Sequence, residues 1–232
     1  MSTVRGARER ARIEVTAAIK DEARRRLAAE GAAKLSLRAV ARELGMVSSA
    51  LYRYFPSRDE LLTALIIDAY DSVGAAAEAA EAAALAAGAP PRARWTAVCE
   101  ALRAWALEHP HEYALIYGSP VPGYSAPQDT IGPASRVANV LIGIARSAHE
   151  GRGLALPPLP APLRAEADRM TADFATGLPP EVTAALVAAW AQLVGLVSFE
   201  LFGQFNRVVE ERDAFFAHAA GQLAHAVGLP AV

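Results

Sequence analysis

Between Ser48 and Arg58 the chain reads Ser-Ser-Ala-Leu-Tyr-Arg-Tyr-Phe-Pro-Ser-Arg, a run of hydroxyls, one methyl, two phenols and two guanidinium groups. These are groups that can recognise a polyanion carrying ordered base edges. A guanidinium can donate two hydrogen bonds to guanine O6 and N7, and a methyl side chain can meet the thymine methyl. Hydroxyls and further guanidinium groups suit phosphate oxygens, which fix register without reading sequence. On this chemistry Ser48, Ser49, Ala50 and Arg53 are candidates for base contact, and Tyr52 and Arg58 for the phosphate backbone. Tyr54 completes the aromatic-basic set, and Arg38 is a candidate for phosphate or base. The same pattern allows a plainer assignment, in which Leu51, Phe55 and part of Tyr52 fill a core and Arg53 is solvated.

Such groups need helices to present them. Leu37, Val40, Ala41 and Leu44 recur at i, i+3, i+4 and i+7, which predicts a short helix with one apolar face and Arg38 and Arg42 pointing away. Ser36 is placed to cap its start, and Gly45 to end it in the left-handed region. Ser48 is placed to cap a second helix, Ser49 to Tyr54, which Pro56 stops because Phe55 before a proline is pushed out of α geometry. Ser57-Arg58-Asp59-Glu60 reads as a capping box opening the next helix. Helix, tight turn, helix and stop make a helix-turn-helix pattern.

The stretch from Leu35 to Leu62 resembles the DNA-binding domain of TetR/AcrR-type regulators. The resemblance rests on Leu51-Tyr52-Arg53-Tyr54-Phe55, the link Pro56-Ser57-Arg58, and Glu60-Leu61-Leu62 opening the following helix. Lysine is commoner in the family where this chain has Arg58, and the charge is kept. The resemblance implies an all-α fold: an N-terminal three-helix helix-turn-helix domain, residues 1–58, and a larger helical ligand-binding and dimerisation domain, residues 59–232. It also implies a homodimer that sets two recognition helices in major grooves of a palindromic operator on double-stranded DNA.

Charge agrees with that division. Residues 1–58 hold thirteen Lys and Arg against six Asp and Glu, whereas the remainder holds ten against nineteen. A near-neutral total therefore hides a basic head, the footprint of phosphate binding. The first nine residues, with Arg5 and Arg8, lack apolar periodicity and are expected to be frayed. One cysteine, Cys99, allows no internal disulfide and suits a reducing cytoplasm. The charged start lacks the apolar core of a signal peptide. No Cys/His set has metal-site spacing, and no nucleophile triad, phosphate loop or carboxylate pair suggests an enzyme, so neither metal nor cofactor is expected.

Beyond the head, helical periodicity predicts helices from Glu9 to Glu30, from Ser57 through the alanine-rich stretch to Ala87, and over 92–108, 110–117, 131–149, 163–176, 182–205 and 213–227. Loops rich in Gly and Pro fall at 118–127 and 151–162. The helix over 182–205 carries a single formal charge, Glu200. Its length would suit a membrane span, but Gln192, Ser198, Glu200 and Gln204 interrupt it, and burial between two subunits is the favoured reading. With the last helix it would build a four-helix dimer interface. Trp190-Ala191-Gln192-Leu193-Val194-Gly195 and the run from Tyr113 to Pro127 resemble the TetR subgroup named for a Trp-His-Gly signature, with Val194 where histidine is expected. Trp95, Trp105, Tyr113, Tyr117, Trp190 and Phe199 are candidates to line a site for a small, mostly apolar effector, though each would equally serve as core. The resemblance implies a repressor released by that effector. The other reading kept open is a DNA-binding protein without a small-molecule switch, architectural or constitutive.

Overall fold

Apolar positions at helical spacing give helices throughout. A computed structural model describes residues 2–151 and 153–230, and among those residues there are ten α-helices, three short 3-10 turns and no strand. The chain divides into two compact units, one of residues up to Tyr70 with His109–Pro133, the other of Asp71–Glu108 with residues from Ala134 on. Helix α4, Arg58–Ala86, runs unbroken through the division expected at 58/59, and gives residues 58–70 to the first unit and 71–86 to the second.

In the first unit α1 spans Ser2–Glu30, α2 Leu37–Glu43 and α3 Ser48–Leu51. The expectation of a frayed start is corrected, because α1 begins at Ser2. From Ala7 to Arg12 alanine, arginine and glutamate favour helix without any apolar stripe. Ile19, Ala23 and Leu27 of α1, Leu37, Val40 and Ala41 of α2, Leu51, Phe55, and Leu61, Leu62 and Leu65 of α4 form one buried cluster. Helix α6, Pro110–Tyr117, and the loop after it add Leu115, Val121 and Tyr124 to its edge. Lys20 and Arg24 of α1 meet Asp68 of α4 at 2.8 and 2.6 Å, and Arg24 also meets Glu112 of α6 at 3.0 Å.

The second unit holds the rest of α4, α5 (Pro91–Glu108), most of α7 (Ile131–Glu150), α8 (Arg164–Phe174), α9 (Pro180–Leu201) and α10 (Arg212–Ala226). Helix α9 packs on α5, α8 and α10. Its single charge is accounted for: the Glu200 carboxylate accepts two 2.7 Å hydrogen bonds from Arg103 of α5, which also reaches Asp213. The helix predicted over 182–205 ends sooner, at Leu201, where Gly203 at φ +82° turns the chain. By length and composition α9 is apolar enough to cross a membrane. Its Val182, Leu186, Leu193 and Val197 are buried within the unit, whereas Val187 and Phe199 are exposed.

Candidate nucleic-acid interface

The turn between α2 and α3 forms from local rules. Gly45 adopts φ +65°, its amide bonds to the Arg42 carbonyl, and the Met46 amide bonds to the Ala41 carbonyl. These two bonds are the Schellman closure of a helix end. Ser36 occupies the N-cap of α2 without a side-chain bond. The capping role expected of Ser48 is corrected: Val47 is the cap residue, and Ser48 is the first helical position. The helix predicted over 49–54 is also shorter, since after Leu51 the chain continues in tighter bonds, Arg53 to Ala50 and Tyr54 to Leu51. At Ser57 the cap forms as expected, its hydroxyl accepting from the Glu60 amide at 3.1 Å.

With Leu51 and Phe55 turned into the core, the other face of α3 and its following turn looks outward. Arg38, Ser49, Tyr52 and Arg53 are exposed, and Ser48 and Ala50 are half-exposed beside them. Tyr52, 41% exposed, is therefore not a core residue. Tyr54 is half-buried against the head core. Apart from Arg38, which is on α2, these residues lie on one short stretch, as a major-groove reader requires.

The guanidinium of Arg58, a candidate for phosphate contact, donates to the main-chain carbonyls of Ala32 at 2.9 Å, Leu35 at 3.2 Å and Ala33 at 3.3 Å. It joins the start of α4 to the turn between α1 and α2. The basic excess of the head is also partly consumed: Lys20, Arg24, Arg25 and Arg26 are all in ion pairs with Asp or Glu. The pairs of Arg25 and Arg26 with Glu22 are local to α1, whereas those of Lys20 and Arg24 could not be located from sequence, because their partners Asp68 and Glu112 lie 44–88 residues away.

The six aromatic candidates for an effector site fall in both units. In the first, Tyr113 is buried and its ring lies 5.1 Å from that of Tyr117, which stands edge-on to Tyr70 at 5.9 Å. Burial raises the pKa of the Tyr117 hydroxyl, with neighbouring Tyr70 and Tyr113 adding to the shift. In the second, Trp95 and Trp105 are buried, Trp105 donating to the Ser72 hydroxyl at 2.9 Å. The indole N–H of Trp95 has no acceptor among the described residues. Trp190 is half-buried. Phe199, 53% exposed, lines an open groove of about 520 Å³ with Leu196, Phe205, Phe215 and Leu223, on the surface of α9 and α10.

An exposed helix-turn-helix on a packed three-helix head defines the class, a helix-turn-helix DNA-binding protein. Comparison with known proteins makes it particular. Residues 19–65 match the family described as bacterial regulatory proteins, tetR family, and residues 95–223 match the tetracyclin repressor-like C-terminal domain. The HTH-type transcriptional regulators Rv1816 of Mycobacterium tuberculosis and Mb1846 of Mycobacterium bovis are each 39% identical over 208 residues, covering 87% of this chain and 86% of theirs. The crystal structure of regulatory protein SCO4313 is 36% identical with a TM-score of 0.78, covering 94% of this chain and 98% of that one. RolR, solved in complex with the ligand resorcinol, shares the fold at 16% identity and a TM-score of 0.54, over 95% of both chains. The chain belongs to the TetR family of transcriptional regulators.

Proposed function

We propose that this chain is a ligand-responsive repressor that binds a palindromic DNA operator as a homodimer in the cytoplasm and is released by a small, mostly apolar effector. The observation that carries the reading is the outward set of Arg38, Ser49, Tyr52 and Arg53 on a head whose opposite side is closed by Leu51 and Phe55. Arg53 and Ala50 read bases, while Arg38, Tyr52 and the Ser48 and Ser49 hydroxyls hold the backbone. Tyr54 supports them from the core edge. Arg58 acts on DNA only indirectly, by fixing the start of α4.

The dimer reading is supported by the apolar groove of α9 and α10, with Phe199 and Phe215 exposed along it. The effector reading is supported by the orphaned Trp95 N–H, since a ligand acceptor would satisfy a buried donor that otherwise costs about 1–3 kcal/mol. That the fold of RolR holds resorcinol agrees with a ligand-bearing body. Helix α4 is shared by both units and is the element through which ligand and operator would be coupled. Such coupling is typically about 1–3 kcal/mol and is reciprocal. The second reading, a regulator without a switch, is supported by the near-complete burial of Trp95 and Trp105.

Selection of the purified protein on random duplex DNA at two salt concentrations tests the first claim. An enriched palindrome is expected. Salt-sensitive binding without a motif would favour an architectural factor, and no binding would overturn the reading.

A further inference from the structure

The first turns of α1 have no packing partner that explains them. Residues 7–14 are all exposed, including Ile13, and apolar burial begins only near Val15 and Ile19. From Arg8 to Ile19 the helix rises by roughly 16 Å, so a substantial arm stands clear of the head core. A helical end without tertiary support is marginal on its own. These residues also precede the 19–65 stretch that matches the family.

What the arm carries is directional. Arg8 and Arg12 lie one turn apart and line one open crevice with Ala50, Arg53 and Tyr54, the residues of the reading turn. The Arg12 guanidinium sits 5.8 Å from the centre of the Tyr54 ring, a cation–π contact that ties the arm to that turn. Glu9 is the one acidic residue among those lining the crevice. Unlike Lys20 and Arg24 further along the helix, Arg8 and Arg12 have no carboxylate within ion-pair distance among the described residues. Two uncompensated guanidinium groups beside the base-reading residues face whatever those residues face.

We infer that the arm is a second DNA-binding element, in which Arg8 and Arg12 bind phosphates of the duplex flanking the bases met by Ala50 and Arg53. The inference rests on the DNA-binding reading above. Such contacts lengthen the footprint and add affinity without adding sequence preference.

The test uses the full chain and its Arg8→Ala/Arg12→Ala variant. Each is titrated, across a salt series, against the selected duplex with long flanks and against the same duplex trimmed to its motif. On the long duplex the variant is expected to bind more weakly, with a slope of log affinity against log salt shallower by about two per protomer. On the trimmed duplex the two proteins should be alike, and the preferred motif unchanged. Lysine at both positions should restore the slope, since charge is what the contact needs.

Equal slopes on the long duplex would overturn the inference, as would an equal loss on both duplexes, which would place the effect inside the motif. A wild-type protein that binds neither duplex would instead sink the DNA-binding reading, and this inference with it.

Discussion

At the scale of single residues, two arginines of similar sequence context have different work. Arg53 is exposed on the reading turn, and Arg58 is bonded to three carbonyls inside the head. Arg53→Ala should leave thermal stability unchanged and relax base preference at one operator position, with residual salt-sensitive binding. Arg58→Ala should keep the preference but lower stability by about 2 kcal/mol, the scale of charge-assisted hydrogen bonds. Melting curves together with motif selection on both proteins separate the cases. A stable Arg58→Ala protein with a shallower salt slope would return Arg58 to the phosphate backbone. Cys99 is a different kind of residue, buried, with its thiol pKa pushed up first by desolvation and then by Glu100. The thiolate is the reactive form, so native protein should resist iodoacetamide and be alkylated only in denaturant, as mass spectrometry would report.

At the scale of elements, most of the fold was legible because helices announce themselves locally. The apolar stripe of α2, the glycine after it, the proline opening α6 and the cap at Ser57 each depend on a few neighbouring residues, and each formed. What could not be read needed the third dimension. The carbonyls that accept from Arg58 belong to a turn more than twenty residues earlier, and Arg24 reaches Glu112 across 88 positions. Nor could periodicity find the start of α1, whose first turns are helical without an apolar face. The exposed polar and basic residues around α3 were legible as types, but Tyr54 and Phe199 have surroundings that spacing does not encode. Substitution tests the elements in turn. Gly45→Ala forces a side chain into φ +65° and should cost about 1–2 kcal/mol, with weaker operator binding as the turn loosens. Arg103→Met strands the Glu200 carboxylate, which is only 6% exposed, and should cost about 3 kcal/mol or more. The same change at Arg169, on the open surface of α8, should leave the melting temperature where it was.

At the scale of the whole molecule, a palindromic operator demands two heads, and the apolar groove of α9 and α10 is where a second copy would supply the other. Phe199, Phe205 and Phe215 stack there in edge-to-face contacts at 5.8 and 5.5 Å, on a surface that water otherwise covers. The small residues Ala188, Ala191 and Gly195 follow the same side of α9, so another helix can approach closely. A stable interface of about 1,200–2,000 Å² would cover the whole strip, with Phe199 near its centre. Central aromatic residues dominate such interfaces, at about 2 kcal/mol or more each. Phe199→Asp adds a buried charge to that loss, and by symmetry does so twice per dimer. Because Phe199 is solvent-exposed within one chain, the variant should fold and melt as the parent does. Sedimentation at micromolar concentration should nonetheless change from dimer to monomer. Binding to the full palindrome should then rise more steeply with protein concentration and weaken, while an isolated half-site is bound as before. A Phe199→Asp protein that still sediments as a dimer would mean that the two copies meet elsewhere, and that the groove of α9 and α10 serves some other purpose.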